Sequence, residues 1–237
     1  MDKLKEIISK FSIDEILEYE EKYDKQYINL KKLYNNIKNE QLFLKISVIN
    51  SLLAFQLIYK GEKFWEIFSE YFSKDKIDIY SDFVQFIEKH NFRFKKTKIA
   101  RLNKIYSWIK DKDLLKYKDR LTDFNRDIAI AMNQKVHDKT IVFTTKIFGY
   151  AIRILGYKIV FPMDIAIPID NRISKISKDM NYWWKLSKDT NIPPLHIDSL
   201  IWITYGLTYD EIKNINEDFR EKILELKNLL ECIIKNY

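Results

Sequence analysis

Glycine and proline are scarce in this chain, which has four of each among its 237 residues. Strands joined by tight turns need both residue types at their bends, so a sheet-rich fold of this length is disfavoured. Apolar residues make up 46% of the sequence, which is enough to form a buried core. We therefore expect an all-α protein.

The cysteine content and the net charge of the chain limit the classes of protein to which it can belong. Cys232 is the single cysteine, which excludes a disulfide framework and a cysteine-ligated zinc or iron–sulfur centre within the chain. The formal net charge of +7 is compatible with a polyanionic partner without establishing one. The apolar runs are shorter than the about 20 residues that a membrane span needs, and the N-terminus lacks the apolar stretch of a signal peptide. These features predict a cytoplasmic protein without a membrane partner.

Two tetrapeptides predict helix starts. Ser12-Ile13-Asp14-Glu15 and Thr208-Tyr209-Asp210-Glu211 both have the pattern of a capping box. In this motif a hydroxyl accepts a hydrogen bond from the amide three residues on, and a carboxylate accepts one from the amide of the capping residue. The charged amphipathic pattern of residues 217–234 predicts a further helix near the end of the chain.

Helical spacing also recurs through the interior of the sequence. Residues 41–59 are apolar on nearly every side, which predicts a central buried helix that ends at Gly61. Residues 114–132 have an amphipathic pattern, whereas 157–169 contains two prolines and alternating apolar residues, as in an extended segment. We interpret the chain as a single catalytic unit over residues 1–237. A shorter helix is predicted by four aromatic residues: Phe64, Trp65, Phe68 and Phe72.

Lys139 is the first candidate catalytic residue. Asp138 is placed to cap the apolar run that follows it, so Lys139 falls in the first turn of a helix. The positive end of the helix dipole disfavours the charged form of an amine there, and only the neutral form can act as a nucleophile. Phe143 and Lys146, four and seven residues on, share its face. Most lysines near a helix start are solvated surface residues, so this stripe alone does not assign a function.

Asp170 is the second candidate. It follows the extended segment, and helical spacing resumes directly after it. A carboxylate that accepts backbone amides at a helix start is held ionised and fixed in orientation, which suits a group that must stabilise developing positive charge. A purely structural capping role explains the same placement.

These residues resemble the helix-hairpin-helix DNA glycosylases. The lysine that opens a helix, the proline-containing extended stretch and the helix start Pro168-Ile169-Asp170-Asn171-Arg172 carry the likeness. The separation of 31 residues between Lys139 and Asp170 is similar to that of the archaeal 8-oxoguanine DNA glycosylase branch. The likeness covers nearly the whole chain and is strongest over 133–177. It implies an all-α fold of two helical lobes with the active site in the cleft between them, and a helix-hairpin-helix element at about 114–155.

The resemblance also implies a role for each matching residue. Lys139 corresponds to the catalytic lysine and Asp170 to the catalytic aspartate. Six further residues would bind the flipped base: Trp65 and Phe143 as an aromatic sandwich, Gln26 as the amide that reads the base edge, Lys146 as a second lysine, and Asp198 with Trp202 as a pair on one helix.

The hairpin sequence departs from the usual superfamily pattern. The usual turn is rich in glycine, and its amides bind a backbone phosphate, whereas residues 132–138 read Met-Asn-Gln-Lys-Val-His-Asp. Lys135 and His137 are then the candidates for phosphate contacts.

The function implied by the resemblance is removal of 8-oxoguanine from double- or single-stranded DNA. Cleavage of the strand would follow by β-elimination through a Schiff base on Lys139. Neither step needs a metal or an organic cofactor, so none is expected, and we expect a monomer associated with the nucleoid.

Three alternatives remain open from the sequence. The first is a glycosylase of the same fold that acts on another damaged base. The second is a non-catalytic helical DNA-binding protein, in which Lys139 is a surface residue and Asp170 a helix cap. The third is a protein-interaction module with Trp183 and Trp184 as an exposed aromatic patch.

Overall fold

A computed structural model describes residues 2–235 of the chain. These residues contain α-helices, one 3-10 helix at Leu114–Tyr117 and no strand, which confirms the all-α prediction. None of these helices is long and apolar enough to cross a membrane. The α-helices follow in chain order: α1 Asp2–Ile8, α2 Ile13–Tyr23, α3 Lys25–Ile37, α4 Glu40–Leu53, α5 Gly61–Phe72, α6 Ile79–His90, α7 Lys95–Ile109, α8 Leu121–Met132, α9 Lys139–Ile154, α10 Ile173–Ile176, α11 Met180–Thr190, α12 Pro194–Gly206, α13 Tyr209–Lys213 and α14 Glu217–Lys235.

The helices form two compact units. The first unit comprises Met1–Asp24 with Val160–Tyr237, and the second comprises Lys25–Ile159. In the first unit α12 is apolar on nearly every side, because it packs against α2, α11 and α14. Its buried side chains include Ile197, Leu200 and Ile201.

In the second unit α4 packs against α3, α7 and α9, which explains why so much of this helix is apolar. The aromatic spacing of α5 produces a cluster with α6, in which the rings of Phe72 and Phe83 lie 4.6 Å apart. The four aromatic residues predicted to share a helix are all buried on α5, as expected from their period.

Both capping boxes are confirmed. Ser12 accepts a hydrogen bond from the amide of Glu15, and Thr208 accepts one from the amide of Glu211. The carboxylate of each glutamate accepts from the amide of its capping residue at 2.8 Å. These local patterns therefore set the starts of α2 and α13.

The predicted end of the central helix is wrong. α4 ends at Leu53 instead of Tyr59, and Gly61 begins α5 instead of ending α4. The terminal carbonyl groups have side-chain donors, because Asn91 Nδ2 donates to Leu53 O at 2.9 Å and Arg101 Nε donates to Leu52 O at 3.2 Å. Such donors replace the hydrogen bonds that another helical turn would supply.

Two further expectations are modified by the structure. Residues 114–132 form a 3-10 helix followed by α8, not one continuous helix. Trp183 is fully buried and its Nε1 donates to Ser177 O at 3.1 Å, so the proposed exposed patch at Trp183 and Trp184 is wrong for Trp183. The segment predicted to be extended, 157–169, contains no helix.

Candidate active site

The predicted site residues divide between the two units. Lys139, Phe143, Lys146, Trp65 and Gln26 belong to the second unit. The remaining three belong to the first unit: Asp170, Asp198 and Trp202.

Lys139 is the first residue of α9, as the sequence predicts, and it is exposed. Asp138 precedes the helix, but its side chain does not cap it. Its Oδ2 instead accepts a hydrogen bond from the amide of Lys135 at 3.1 Å and from Gln134 Nε2 at 3.3 Å. The expected position of the helix start is confirmed, whereas the capping contact predicted for Asp138 is wrong.

The turn before Lys139 reverses direction without glycine. Asn133 ends α8 in the left-handed conformation, with φ 53° and ψ 50°. Its amide donates to Ile130 O at 3.0 Å, and the amide of Gln134 donates to Ala129 O at 2.9 Å. Asparagine tolerates this conformation better than other side chains, so it takes the place that glycine fills in most such turns. Together α8, this turn and α9 form a helix-hairpin-helix.

Lys146 lies two turns along α9, where it is almost completely buried. Its Nζ is 5.6 Å from the centre of the Tyr150 ring. Tyr150 packs edge-on against Tyr27 at 5.3 Å, and Arg153 Cζ is 5.2 Å from the Tyr27 ring centre. Lys146 and Arg153 thus share a buried cluster with these two tyrosine rings.

Trp65 and Phe143 are in contact. Their ring centres are 6.3 Å apart and their planes make an angle of 62°. A base held between two rings needs near-parallel planes about 7 Å apart, because each stacked pair is separated by about 3.5 Å. Trp65 is 1% exposed whereas Phe143 is partly exposed, and the angle of 62° between the rings is not the parallel arrangement of such a sandwich.

Gln26 lies in the first turn of α3, where it is 5% exposed. α3 packs against both α5 and α9, the helices that carry Trp65 and Lys139. The second unit therefore assembles all five of its predicted residues on three neighbouring helices.

In the first unit the carboxylate of Asp170 is held by backbone amides. Its Oδ1 accepts hydrogen bonds from the amides of Arg172 and Ile173, both at 2.8 Å. Its carbonyl oxygen accepts from the amide of Ser174, also at 2.8 Å. This arrangement is the fixed carboxylate that the sequence predicts at the start of α10.

Asp198 and Trp202 lie one turn apart on α12, as predicted. Asp198 is 6% exposed and Trp202 is partly exposed. Arg172 stacks on Trp202, with its Cζ 3.7 Å from the ring centre. It belongs to the sequence motif around Asp170, but no role was predicted for it. One face of Trp202 is therefore occupied by a guanidinium group.

A family model described as AGOG, N-glycosylase/DNA lyase, matches residues 5–233. The chain belongs to this family. The N-glycosylase/DNA lyase of Nanoarchaeum equitans is 40% identical over 221 residues, which cover 92% of this chain and 94% of that protein. The protein of the same name from Methanococcus maripaludis is 35% identical over 238 residues, with 93% and 94% covered.

A solved structure supports the same conclusion. The crystal structure of Pa-AGOG, an 8-oxoguanine DNA glycosylase from Pyrobaculum aerophilum, contains 8-oxoguanosine. It matches this fold with a TM-score of 0.81 and 26% identity, and the match covers 95% of each chain. The resemblance inferred from the residues around Lys139 and Asp170 is confirmed, and the non-catalytic alternative is wrong, because this is a family of N-glycosylase/DNA lyases.

Sequence reasoning missed a buried pair in the first unit. His196 and Glu20 are both fully buried, and His196 Nδ1 donates to Glu20 Oε1 at 2.8 Å. His196 Nε2 accepts from the amide of Phe161 at 3.2 Å, which fixes the proton on Nδ1. His196 lies on α12, two residues before Asp198. Its bond with Phe161 therefore attaches the extended segment to α12. Within residues 2–235 no group of three or more His, Cys, Asp or Glu side chains could hold a metal ion.

Sequence reasoning also missed a basic stretch in the second unit. Residues 89–110 contain eight lysines and arginines and no acidic residue. Residues 92–97 are all exposed, and they include Phe92 and Phe94 at 52% and 61%. Phe94 has a φ of 56°, which is costly for a bulky residue and often marks a functional surface. This stretch could have been recognised in the sequence, because it contains many basic residues and no acidic one.

Proposed function

We propose that this N-glycosylase/DNA lyase removes 8-oxoguanine and then cuts the strand at the abasic site. The observation that carries the proposal is the exposed amine of Lys139 on the first turn of α9, directly after the hairpin. The 8-oxoguanosine in the Pyrobaculum aerophilum structure supports the choice of lesion.

Lys139 is the proposed nucleophile. In its neutral form Nζ forms a bond to C1′ of the deoxyribose while the bond to the base breaks, and the base leaves with the electron pair. The resulting aminal opens at the sugar ring to a protonated Schiff base. Loss of a C2′ proton then expels the 3′ phosphate, which completes the β-elimination. These steps balance without a metal or an organic cofactor.

Asp170 is the proposed electrostatic partner. Positive charge develops on the sugar as the base departs, and a fixed carboxylate stabilises such charge without reorganising. The two amides that bind Oδ1 hold the carboxylate in a fixed orientation. After the attack the same carboxylate can accept the proton that the amine loses.

Base recognition is assigned to the pocket residues. A base rotated out of the duplex loses stacking, and the rings of Trp65 and Phe143 would restore about 1–3 kcal/mol of it. 8-Oxoguanine differs from guanine by an N7–H donor and an O8 acceptor, so a buried acceptor aimed at N7 rejects guanine strongly. Four polar or aromatic side chains are the remaining candidates for the base: Gln26, Lys146, Asp198 and Trp202.

We propose that the whole chain acts as one catalytic unit, as a monomer, on chromosomal DNA in the cytoplasm. The exposed residues 92–97 of the basic stretch 89–110 support binding to the phosphate backbone, in double- or single-stranded DNA. The helix-hairpin-helix element over about 114–155 contains Lys135 and His137, both exposed, which are the proposed phosphate contacts.

The test is borohydride trapping on a duplex with one 8-oxoguanine. Wild-type protein should form a covalent adduct and Lys139→Gln should form none, while the matched variant Lys32→Gln, at an exposed position on α3, keeps the adduct. An adduct with Lys139→Gln would overturn the assignment of the nucleophile. A panel of duplexes with uracil or an alkylated purine tests the lesion, because faster excision of either would favour the alternative of another damaged base.

A further inference from the structure

Arg101 on α7 connects three elements of the second unit. Its Nε donates to Leu52 O in the last turn of α4 at 3.2 Å. Its Nη2 donates to Gln134 Oε1 in the hairpin turn at 2.9 Å and to Thr140 Oγ1 on α9 at 3.3 Å. A guanidinium group presents several donors in one rigid plane, so its three acceptors are held in a fixed relative geometry.

Gln134 holds the residues on both sides of Lys139. Its Nε2 donates to Thr140 Oγ1 at 3.1 Å and to Asp138 Oδ2 at 3.3 Å. The same Oδ2 accepts from the amide of Lys135 at 3.1 Å. The two peptide neighbours of Lys139 are therefore tied to one amide group, whose oxygen is bound by Arg101.

The network continues into the buried interface between α9 and α4. Thr144 Oγ1 donates to Thr140 O at 2.7 Å, and Ser51 Oγ on α4 lies 3.1 Å from Thr144 Oγ1. Ser51 and Thr144 are buried. The first turn of α9 is thus fixed from the hairpin side and from the core side.

This network matters because the first turn of a helix is otherwise weakly held. Its amides lack partners within the helix, and the usual remedy is a side-chain cap. Asp138 makes no such cap. The ties through Arg101, Gln134 and Thr140 add side-chain contacts that hold the residues on both sides of Lys139.

We propose that Arg101 and Gln134 are positioning residues for the amine of Lys139, acting through Thr140 and Asp138. The inference rests on the proposed nucleophilic role of Lys139. A misplacement of the reacting group by about 1 Å costs on the order of 100-fold in rate, so loosening this turn should slow bond formation more than DNA binding.

The experiment measures the single-turnover rate of strand cleavage on a duplex with a preformed abasic site, at saturating protein. Arg101→Met and Thr140→Val should each lower this rate by about 10- to 100-fold. Their dissociation constants for the same duplex, measured by fluorescence anisotropy, should change by less than about threefold.

Conservative variants separate positioning from folding. Thr140→Ser keeps the hydroxyl and should restore most of the rate lost in Thr140→Val, even where both variants lower the melting temperature. Gln134→Glu keeps the acceptor for Arg101 but loses the donor to Thr140 and Asp138, so it should be slower than wild type. Glu70→Gln, an exposed change on α5, serves as the control with an unchanged rate.

Wild-type rates in Arg101→Met and Thr140→Val would overturn the proposal, and so would equal rates in the serine and valine variants. Weaker DNA binding with an unchanged rate at saturation would assign the network to DNA binding instead. Failure of the proposed function gives a different result, because trapping by Lys139→Gln would then persist whatever the rates of these variants.

Discussion

Arg172 Cζ lies 3.7 Å from the centre of the Trp202 ring, and Arg172 Nη1 donates to Trp202 O at 3.2 Å. The backbone amide of Arg172 donates to the carboxylate of Asp170. One residue thus connects the proposed catalytic carboxylate to an aromatic side chain proposed to bind the base. We therefore expect changes at Arg172 to affect both the carboxylate of Asp170 and the ring of Trp202.

Replacing Arg172 with methionine should weaken binding of 8-oxoguanosine by about 5- to 30-fold, because a close cation–π contact contributes about 1–2 kcal/mol. Arg172→Lys should lose less affinity for 8-oxoguanosine than Arg172→Met, since lysine keeps the charge but not the planar stack. Isothermal titration of the free nucleoside measures the effect. Arg220→Met on α14 is the control, and an equal loss there would point to a general loss of folding.

Asp170→Asn should lower the rate of base excision by about 100- to 1000-fold, the range for removal of an electrostatic catalytic group. Asparagine Oδ1 can still accept from the amides of Arg172 and Ile173, so the fold should be retained. Single-turnover kinetics with an 8-oxoguanine duplex measure this rate. Asp179 accepts from the amide of Asn181 at 2.9 Å in a similar way, so Asp179→Asn is the matched control and should be as fast as wild type.

Phe143→Leu should weaken binding of 8-oxoguanosine by about tenfold or more, because one stacking surface is lost. Phe143→Tyr keeps the ring and should bind nearly as well as wild type. Binding can be followed by equilibrium titration with 8-oxoguanosine, with guanosine as the reference ligand. Equal affinity of the leucine and tyrosine variants would exclude Phe143 from the pocket.

The basic stretch 89–110 predicts a salt-dependent contribution to DNA affinity. Each phosphate contact adds about 0.9 to the slope of log affinity against log salt concentration. The double variant Lys95→Ala, Lys96→Ala should therefore reduce the magnitude of this negative slope by about 1 to 2. Anisotropy titrations between low and moderate salt measure it, and Lys213→Ala on α13 should leave the slope unchanged. An unchanged slope in the double variant would place these lysines outside the DNA interface.

Lys98 predicts a pH-dependent stability. Burial, with Arg93 nearby, lowers the pKa of Lys98 to about 8. An unfolded lysine titrates near a pKa of about 10.4. Between these values the unfolded chain binds a proton that the folded chain does not, so Lys98 makes the free energy of unfolding rise with pH in that window. Below pH 8 both forms are protonated and this slope disappears.

Urea unfolding of wild type and Lys98→Met at several pH values from 7 to 10 isolates this contribution. The free energy of unfolding of wild type relative to the variant should increase from pH 8 upward. The exposed Lys96→Met is the control, and its difference from wild type should not vary with pH. A flat difference for Lys98→Met would show that Lys98 titrates normally.

Local patterns predicted local structure well. The capping boxes at Ser12 and Thr208 depend on residues three positions apart, so the sequence contains everything that decides them. The end of α4 depends instead on donors from Asn91 and Arg101, which lie 38 and 49 residues from the carbonyl groups that they bind. No periodicity within 41–59 carries that information.

The same distinction applies to the site. Lys139, Phe143 and Lys146 share one helix, and helical spacing placed them correctly. The Glu20–His196 pair is separated by 176 residues and joins two helices that no local pattern relates. The fixed carboxylate of Asp170 was predictable because its partners, the amides of Arg172 and Ile173, are two and three residues away.

Asn133 has a consequence for the search for related proteins. The hairpin that leads to Lys139 turns through an asparagine with φ 53°, so its shape does not depend on glycine. A search pattern that demands glycine in the turn would discard this chain, although its backbone forms the hairpin between α8 and α9. Descriptions of the motif by backbone angles would find such chains, because a side chain that tolerates the left-handed region suffices.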